Sequence, residues 1–174
     1  MKFEQALQLI RHPAIKCDHS TVWADLGSGS GLFTHALASL LSPHSRVYAV
    51  DKNIKLFEKW SNANEVNIIN WQRNFENDDI DIRELDGILM ANSFHFVFNK
   101  IEFIKKLKPL FKQEECFIIV EYDMDSPNPW VPYPVSFHSL KQLFTGLGFQ
   151  SVHRIHQLPS RYNRGNIYSV LVKR

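Results

Sequence analysis

The sequence predicts an α/β protein built on a mostly parallel seven-stranded sheet, and three observations carry that reading. Short apolar runs alternate with amphipathic stretches along all 174 residues. The runs Ile88-Leu89-Met90 and Phe117-Ile118-Ile119-Val120 are apolar without a break, as strands buried on both faces must be. The last two strand candidates are separated by a turn too short to hold a helix, so they pair as an antiparallel hairpin.

In chain order, Phe3, Ala6, Leu7 and Ile10 recur at helical spacing and predict a short N-terminal helix over about residues 1–12. It would pack on the domain or lid a pocket. Strands are expected at 21–26, 46–51, 66–71, 85–91, 115–121, 149–157 and 166–172. Helices at 31–41, 54–62, 99–111 and 136–147 fall between them. Such alternation implies parallel pairing through right-handed crossovers, with helices on both faces of the sheet. The turn Pro159-Ser160-Arg161-Tyr162-Asn163-Arg164-Gly165 closes the final hairpin. No repeat, low-complexity tract or composition shift divides the chain, so one domain over 1–174 is expected.

Composition narrows the function classes. A formal net charge of +2 is too small to argue for nucleic acid or an anionic membrane surface. Cys17 and Cys116 are too few and too far apart for a disulfide framework or a zinc site, and the eight histidines form no metal-ligand pattern. No metal is therefore expected. The opening Met1-Lys2-Phe3-Glu4-Gln5 lacks the apolar core of a signal peptide, and no segment has the length of a transmembrane helix. A cytoplasmic chain without membrane contact is expected, its oligomeric state left open.

The chemistry is concentrated in Asp25-Leu26-Gly27-Ser28-Gly29-Ser30-Gly31, which joins the first strand to the helical stretch beginning at Leu32. A strand that enters a glycine-rich turn and then opens a helix is a nucleotide-binding arrangement. Glycine serves there because the turn needs unusual dihedrals and a ligand must reach bare backbone. The dinucleotide pattern G-x-G-x-x-G requires a glycine where Leu32 stands. The pattern present is acidic-x-G-x-G-x-G. A carboxylate at Asp25 would repel a pyrophosphate and complement a cationic ligand; its alternative role is to cap the turn or the helix. Asp51 ends the second strand 24 positions after Gly27, the place where a carboxylate accepts hydrogen bonds from ribose hydroxyls; on its own, an Asp there would more often cap the helical stretch that follows.

These residues resemble motif I and the ribose acid of the class I S-adenosylmethionine-dependent methyltransferases. The resemblance covers nearly the whole chain, since the alternating strands and terminal hairpin fall in the family order. The loop Asn128-Pro129-Trp130-Val131-Pro132-Tyr133-Pro134 looks like that of small bacterial members whose substrates are unassigned. What the resemblance implies is a Rossmann-like sheet of order 3-2-1-4-5-7-6 with an antiparallel last strand. It also implies S-adenosyl-L-methionine as methyl donor, S-adenosyl-L-homocysteine as product, and a small-molecule methyl acceptor.

The implied cofactor residues are Asp25, Gly27, Ser28, Gly29 and Gly31 for the methionine end and Asp51 for the ribose. Asn74 and Phe75 would bind the adenine, and Lys52 and Asn92 complete the set. The family usually places Asp where this chain has Asn74; an amide oxygen accepts the same hydrogen bond without charge, or the residue is a turn asparagine. After the fourth strand, Asn92-Ser93-Phe94-His95-Phe96 lacks the proline-aromatic motif with which DNA and protein amide methyltransferases receive an extruded base or amide nitrogen. His95 is the one group there able to take a proton near neutral pH, either as a base or simply as a buried, hydrogen-bonded histidine. Phe94, Phe96, Trp130 and Tyr133 would frame the acceptor, although the last two could instead cover the sheet edge. Arg161 either grips a carboxylate or phosphate or is an exposed loop arginine.

Three other readings compete. An NAD-dependent oxidoreductase is opposed by the glycine spacing and by the lack of a Tyr-x-x-x-Lys pair. A cofactor-binding regulator or partner subunit without turnover is compatible with the small size. So is a methyltransferase of RNA or protein, against which the weak net charge argues.

Overall fold

A computed structural model describes residues 1–53, 64–160 and 165–174. The helix expected at 54–62 and the side chain of Arg161 lie outside the described residues. The strands are β1 Val22–Leu26, β2 Arg46–Asp51, β3 Asn67–Gln72, β4 Gly87–Ala91, β5 Cys116–Tyr122, β6 Ser151–Pro159 and β7 Asn166–Lys173. They form one seven-stranded sheet in the order β3-β2-β1-β4-β5-β7-β6. All neighbours pair in parallel except β7, which runs antiparallel to both β5 and β6. The expected order and the expected antiparallel strand are both present.

Side chains alternate across the sheet and produce two cores. On one face Trp23, Val47, Leu89, Ile118 and Leu171 pack with α1 Phe3–Ile10 and α2 Leu32–Ala38. On the other, Ala24, Ile88, Phe117, Ile119 and Val170 pack with α3 Lys100–Leu107 and α4 Phe137–Gly146. β4 and β5 are the central strands that bury both faces, which is why their sequences are apolar without alternation.

Several boundaries differ from the sequence expectation for identifiable reasons. α1 stops at Ile10 because Pro13 opens a 3-10 turn, capped by His12 Nδ1 accepting from the Ala14 N–H at 3.1 Å. α3 ends at Leu107 rather than 111. Pro109 has no N–H for the carbonyl one turn back, and the chain tightens into a 3-10 turn over Lys108–Leu110. β4 starts at Gly87; Leu85 makes only an isolated parallel bridge to Phe111. β6 starts at Ser151, because Gly148 (φ +86°) turns the chain out of α4 and Phe149 is drawn into an aromatic cluster. Its ring lies 5.0 Å from Phe144 and 5.9 Å from Phe117, both edge-on.

Gly87 fixes how β1 and β4 approach. It is the cross-strand partner of Trp23, whose indole covers it, and a Cβ there would lie 2.3 Å from the ring. Gly87→Ala must therefore push the indole aside. A loss of about 1–3 kcal/mol, the ordinary cost of overpacking a core, is expected in urea denaturation.

Candidate active site

The carboxyl ends of β1 and β4 mark the point where the chain, having laid down β2 and β3 on one side, returns to build the other half of the sheet. Ligands of open α/β sheets bind in the crevice at such a point. A cavity of about 330 Å³ opens there. Its floor is Gly27, Ser28 and Gly29, one wall is Asn92 and Tyr122 at the ends of β4 and β5, and the other is Met1 and Gln5 with residues 158–160.

The floor is held by backbone hydrogen bonds. Gly27, Gly29 and Gly31 all have positive φ (84°, 55° and 83°), conformations that favour glycine. The N–H groups of Gly27 and Ser28 both donate to Val50 O, at 2.8 and 3.1 Å. Asp51 then secures the turn: Oδ2 accepts from the Gly29 N–H and Oδ1 from the Asn53 N–H, each at 2.9 Å. The glycines differ in what surrounds them. A Cβ on Gly27 would sit 2.4 Å from Ser93 Cβ and 3.3 Å from the Phe75 ring, whereas one on Gly29 would project into open space.

Asp25 lies beneath this turn and does not line the cavity; it is only 1% exposed. Oδ2 accepts from Thr34 Oγ1 at 2.6 Å, and Oδ1 is buried with no hydrogen-bond partner among the described residues. Burial pushes its carboxyl up to about 7; the Thr34 hydroxyl opposes the rise and the nearby Asp51 adds to it.

The wall from β4 contains a second unpartnered acceptor. Asn92 adopts φ +54°, held by its N–H to Val120 O at 2.8 Å, and its buried Oδ1 has no partner among the described residues. Ser93 Oγ donates to Leu26 O at 2.6 Å and ties this loop to β1. His95 is buried, and both oxygens of buried Glu121 meet it: Oε1 accepts from its backbone N–H at 3.0 Å and Oε2 lies 2.8 Å from Nδ1. Its ring is 6.2 Å from that of Tyr122. The Tyr133 N–H donates to His95 O at 3.0 Å, while Lys100 Nζ donates to Val97 O at 2.9 Å and Tyr133 O at 2.7 Å. Burial pulls the Lys100 ammonium down to about 8, with Glu121 opposing.

Of the residues singled out from the sequence, Gly27, Ser28, Gly29 and Asn92 meet at the cavity, with Asp51 fixed against the floor. Gly31 ends the turn, its N–H donating to Ser28 O at 2.9 Å. Phe75 is a core residue behind Gly27, edge-on to Phe103. Asn74 spends its side-chain oxygen on the Glu76 N–H at 3.2 Å, the turn-asparagine role. Lys52 is exposed and contributes its carbonyl to Gln72. Phe94 is buried, and Phe96, Trp130 and Tyr133 stand exposed outside the cavity, Trp130 at 83%. Sequence reasoning assigned no role to Tyr122 or Ser160, although both lie at the strand ends it singled out.

The fold is the one seen in solved S-adenosylmethionine-dependent methyltransferases. The whole chain is similar in structure to solved members of that group. Over 99% of its length it matches 1,6-didemethyltoxoflavin-N1-methyltransferase of Burkholderia thailandensis, solved with 1,6-didemethyltoxoflavin and S-adenosylhomocysteine, at TM-score 0.69 and 16% identity, covering 77% of that chain. It matches a SAM-dependent methyltransferase of Archaeoglobus fulgidus over 99% of its length at TM-score 0.65 and 15% identity, covering 95% of that chain. A further one from Aquifex aeolicus aligns over 99% of the chain at TM-score 0.62 and 18% identity, covering 89% of its own length. At these identities the likeness is one of fold. No protein-family model matches the sequence, and neither does any curated protein.

Two outcomes follow from the packing. Gly27→Ala combines a left-handed backbone penalty of about 1–2 kcal/mol with a clash against Ser93, whereas Gly29→Ala incurs only the former. Thermal melts should rank them in that order. The titration of Asp25 also carries a sign. A carboxyl raised from its unfolded value near 4 to about 7 favours folding in its protonated form. That contribution is present below pH 4 and lost as pH rises through 7. Asp25→Asn should flatten this part of the stability profile measured by denaturation between pH 4 and 8.

Proposed function

We propose that the chain binds S-adenosyl-L-methionine over the glycine turn and transfers its methyl group to a small-molecule acceptor, leaving S-adenosyl-L-homocysteine. The observation that carries this reading is the turn itself: bare backbone at Gly29 facing a cavity at the switch point, clamped by a carboxylate at the end of β2. The residues present suit the ligand. Asn92 Oδ1 is a buried acceptor without a donor, which a ligand ammonium would satisfy. Asp51 uses one hydrogen bond per oxygen, which leaves lone pairs for ribose hydroxyls. Bound there, the donor supplies a methyl group already activated on a sulfonium.

The protein's own part is to position and to manage a proton. The carbonyls and bare backbone of the glycine turn would hold the methionine end, the N–H groups of Gly27, Ser28, Gly29 and Gly31 being engaged within the turn and with β2, and Asn92 and Tyr122 flank the reacting space. A 330 Å³ cavity walled by the N-terminal segment supports an acceptor of small size, attacking through oxygen, nitrogen or carbon. His95 lies behind the cavity wall rather than in it; held by Glu121 through Nδ1, it would use Nε2 if it takes a proton from the acceptor. Phe75 packs near the adenine end, and the Asn74 oxygen, which accepts one bond from the Glu76 N–H, keeps a second lone pair for the adenine amino group. The exposed Phe96, Trp130 and Tyr133 form the outer rim on which an acceptor first lands. Among the described residues no helix is long and apolar enough to cross a membrane.

Asp51→Ala tests the cofactor assignment. Calorimetry with S-adenosylhomocysteine should show at least a tenfold loss of affinity, about 1.4 kcal/mol or more. Equal affinities in variant and wild type would refute the ribose role of Asp51.

A further inference from the structure

The apolar side chains that follow β4 and β5 stand in the open. Among the described residues the exposed large hydrophobics are Met1 and five of this rim: Trp130 and Phe98 at 83% and 79%, and Phe96, Ile101 and Tyr133 at 43%, 44% and 40%. At roughly 150–250 Å² per aromatic side chain, these exposures leave about 500 Å² of ring surface uncovered. A contiguous apolar patch of about 300–600 Å² is the largest that a typical monomer shows, and it is often functional.

The patch is also held in shape. Lys100 Nζ ties Val97 O to Tyr133 O, and the rings of Phe98 and Tyr133 meet edge-on at 5.1 Å. Trp130 stands on a turn in which Asn128 Oδ1 accepts from the N–H groups of Trp130 and Val131, at 2.9 and 3.0 Å. Pro127, Pro129 and Pro132 stiffen that turn on both sides. A ring fixed this way loses little further freedom when it is covered.

The same surface has a recess. A second cavity of about 320 Å³ opens between the β3–β4 connection and the start of α3. Val97, Phe98 and Phe103 give it apolar walls, and Glu76 and Asn77 bring acceptor oxygens to it. Its cation is already engaged: Lys106 Nζ donates to Asp78 O at 2.9 Å and pairs with Asp79 at 3.5 Å. Glu102 is paired with Lys105 at 2.9 Å. An uncharged aromatic group with one N–H donor suits such a recess, and an indole is that group. Phe98 lines the recess, and its ring partner Tyr133 lies three residues beyond Trp130, outside it. The projecting indole and the recess therefore flank one ring pair.

We propose that this rim is a homodimer interface, in which Trp130 of each copy enters the recess beside Phe98 of the other across a twofold axis at the Phe98–Tyr133 pair. A surface that carries both a projection and a recess is self-complementary under such an axis, since each contact is made twice. A formal net charge of +2 sets little repulsion against self-association. The open ring surface, with the recess walls and polar flanks, approaches the about 800 Å² per partner of a specific interface. Aromatic anchors in pockets carry most of the binding energy of such interfaces. An acceptor would then approach along a rim lined by two copies. The inference is independent of the cofactor reading, and its test involves no ligand.

Sedimentation velocity from low to hundred-micromolar protein should show wild type passing into a species of twice the 20.3 kDa chain mass. Trp130→Ala should raise the dimer dissociation constant roughly thirtyfold or more. Asn77→Trp, at an exposed position of the recess, should fill it and do the same. A mixture of the two variants should associate more tightly than either alone, because one intact indole and one intact recess can still meet. A general folding defect would not produce that recovery. Wild type that stays at 20.3 kDa throughout overturns the proposal and leaves the rim to an acceptor or another protein. A dimer unaffected by Trp130→Ala, or a mixture no better than its components, overturns it equally.

Discussion

The site depends on the contact between the first glycine turn and the end of β2. Val50 O receives two N–H groups from the turn, and Asp51 receives a third. Without these bonds three alternate positive-φ positions would wander, because glycine has the most conformational freedom to lose. With them, the turn is shaped by its neighbouring strand before any ligand arrives. Binding then requires little further ordering of the backbone, which is the part of affinity most easily lost to entropy.

That contact is possible because the strands are in fixed register. Leu26 pairs with Val50, which places Gly27, just after β1, beside Asp51, the last residue of β2, at the sheet's rim. The register in turn follows from packing on both faces. Trp23 fits only against Gly87, and the central strands are too apolar to shift toward water. A side chain far from the cavity therefore sets the geometry of its floor.

The large features of this arrangement were legible in the sequence. Unbroken apolar runs located the central strands, a missing helix located the antiparallel pair, and glycine spacing located the turn. These are signals of backbone geometry, which the chain writes locally. Less legible were the assignments that depend on where a side chain points. Asn74 was singled out for its type and place, and its oxygen also turns out to hold the next turn of chain. Phe94, Phe96, Trp130 and Tyr133 were grouped by loop, although one is buried core and three are exposed outside the cavity. Asp25 was identified as an acid, yet its depth beneath the turn follows from α2 packing over it. The pairing of His95 with Glu121 joins residues on different strands, and no local pattern announces it.

Lys100 gives the outer rim an unusual property. Its ammonium is shared between carbonyls of the segments that follow β4 and β5, and the Tyr133 N–H returns a bond to His95 O. Those two segments are consequently one mechanical unit rather than two independent loops. A change in acceptor preference that reshaped one of them would strain the other. Divergence among relatives built this way should proceed by paired replacements across both segments, with the lysine retained as the hinge pin between them.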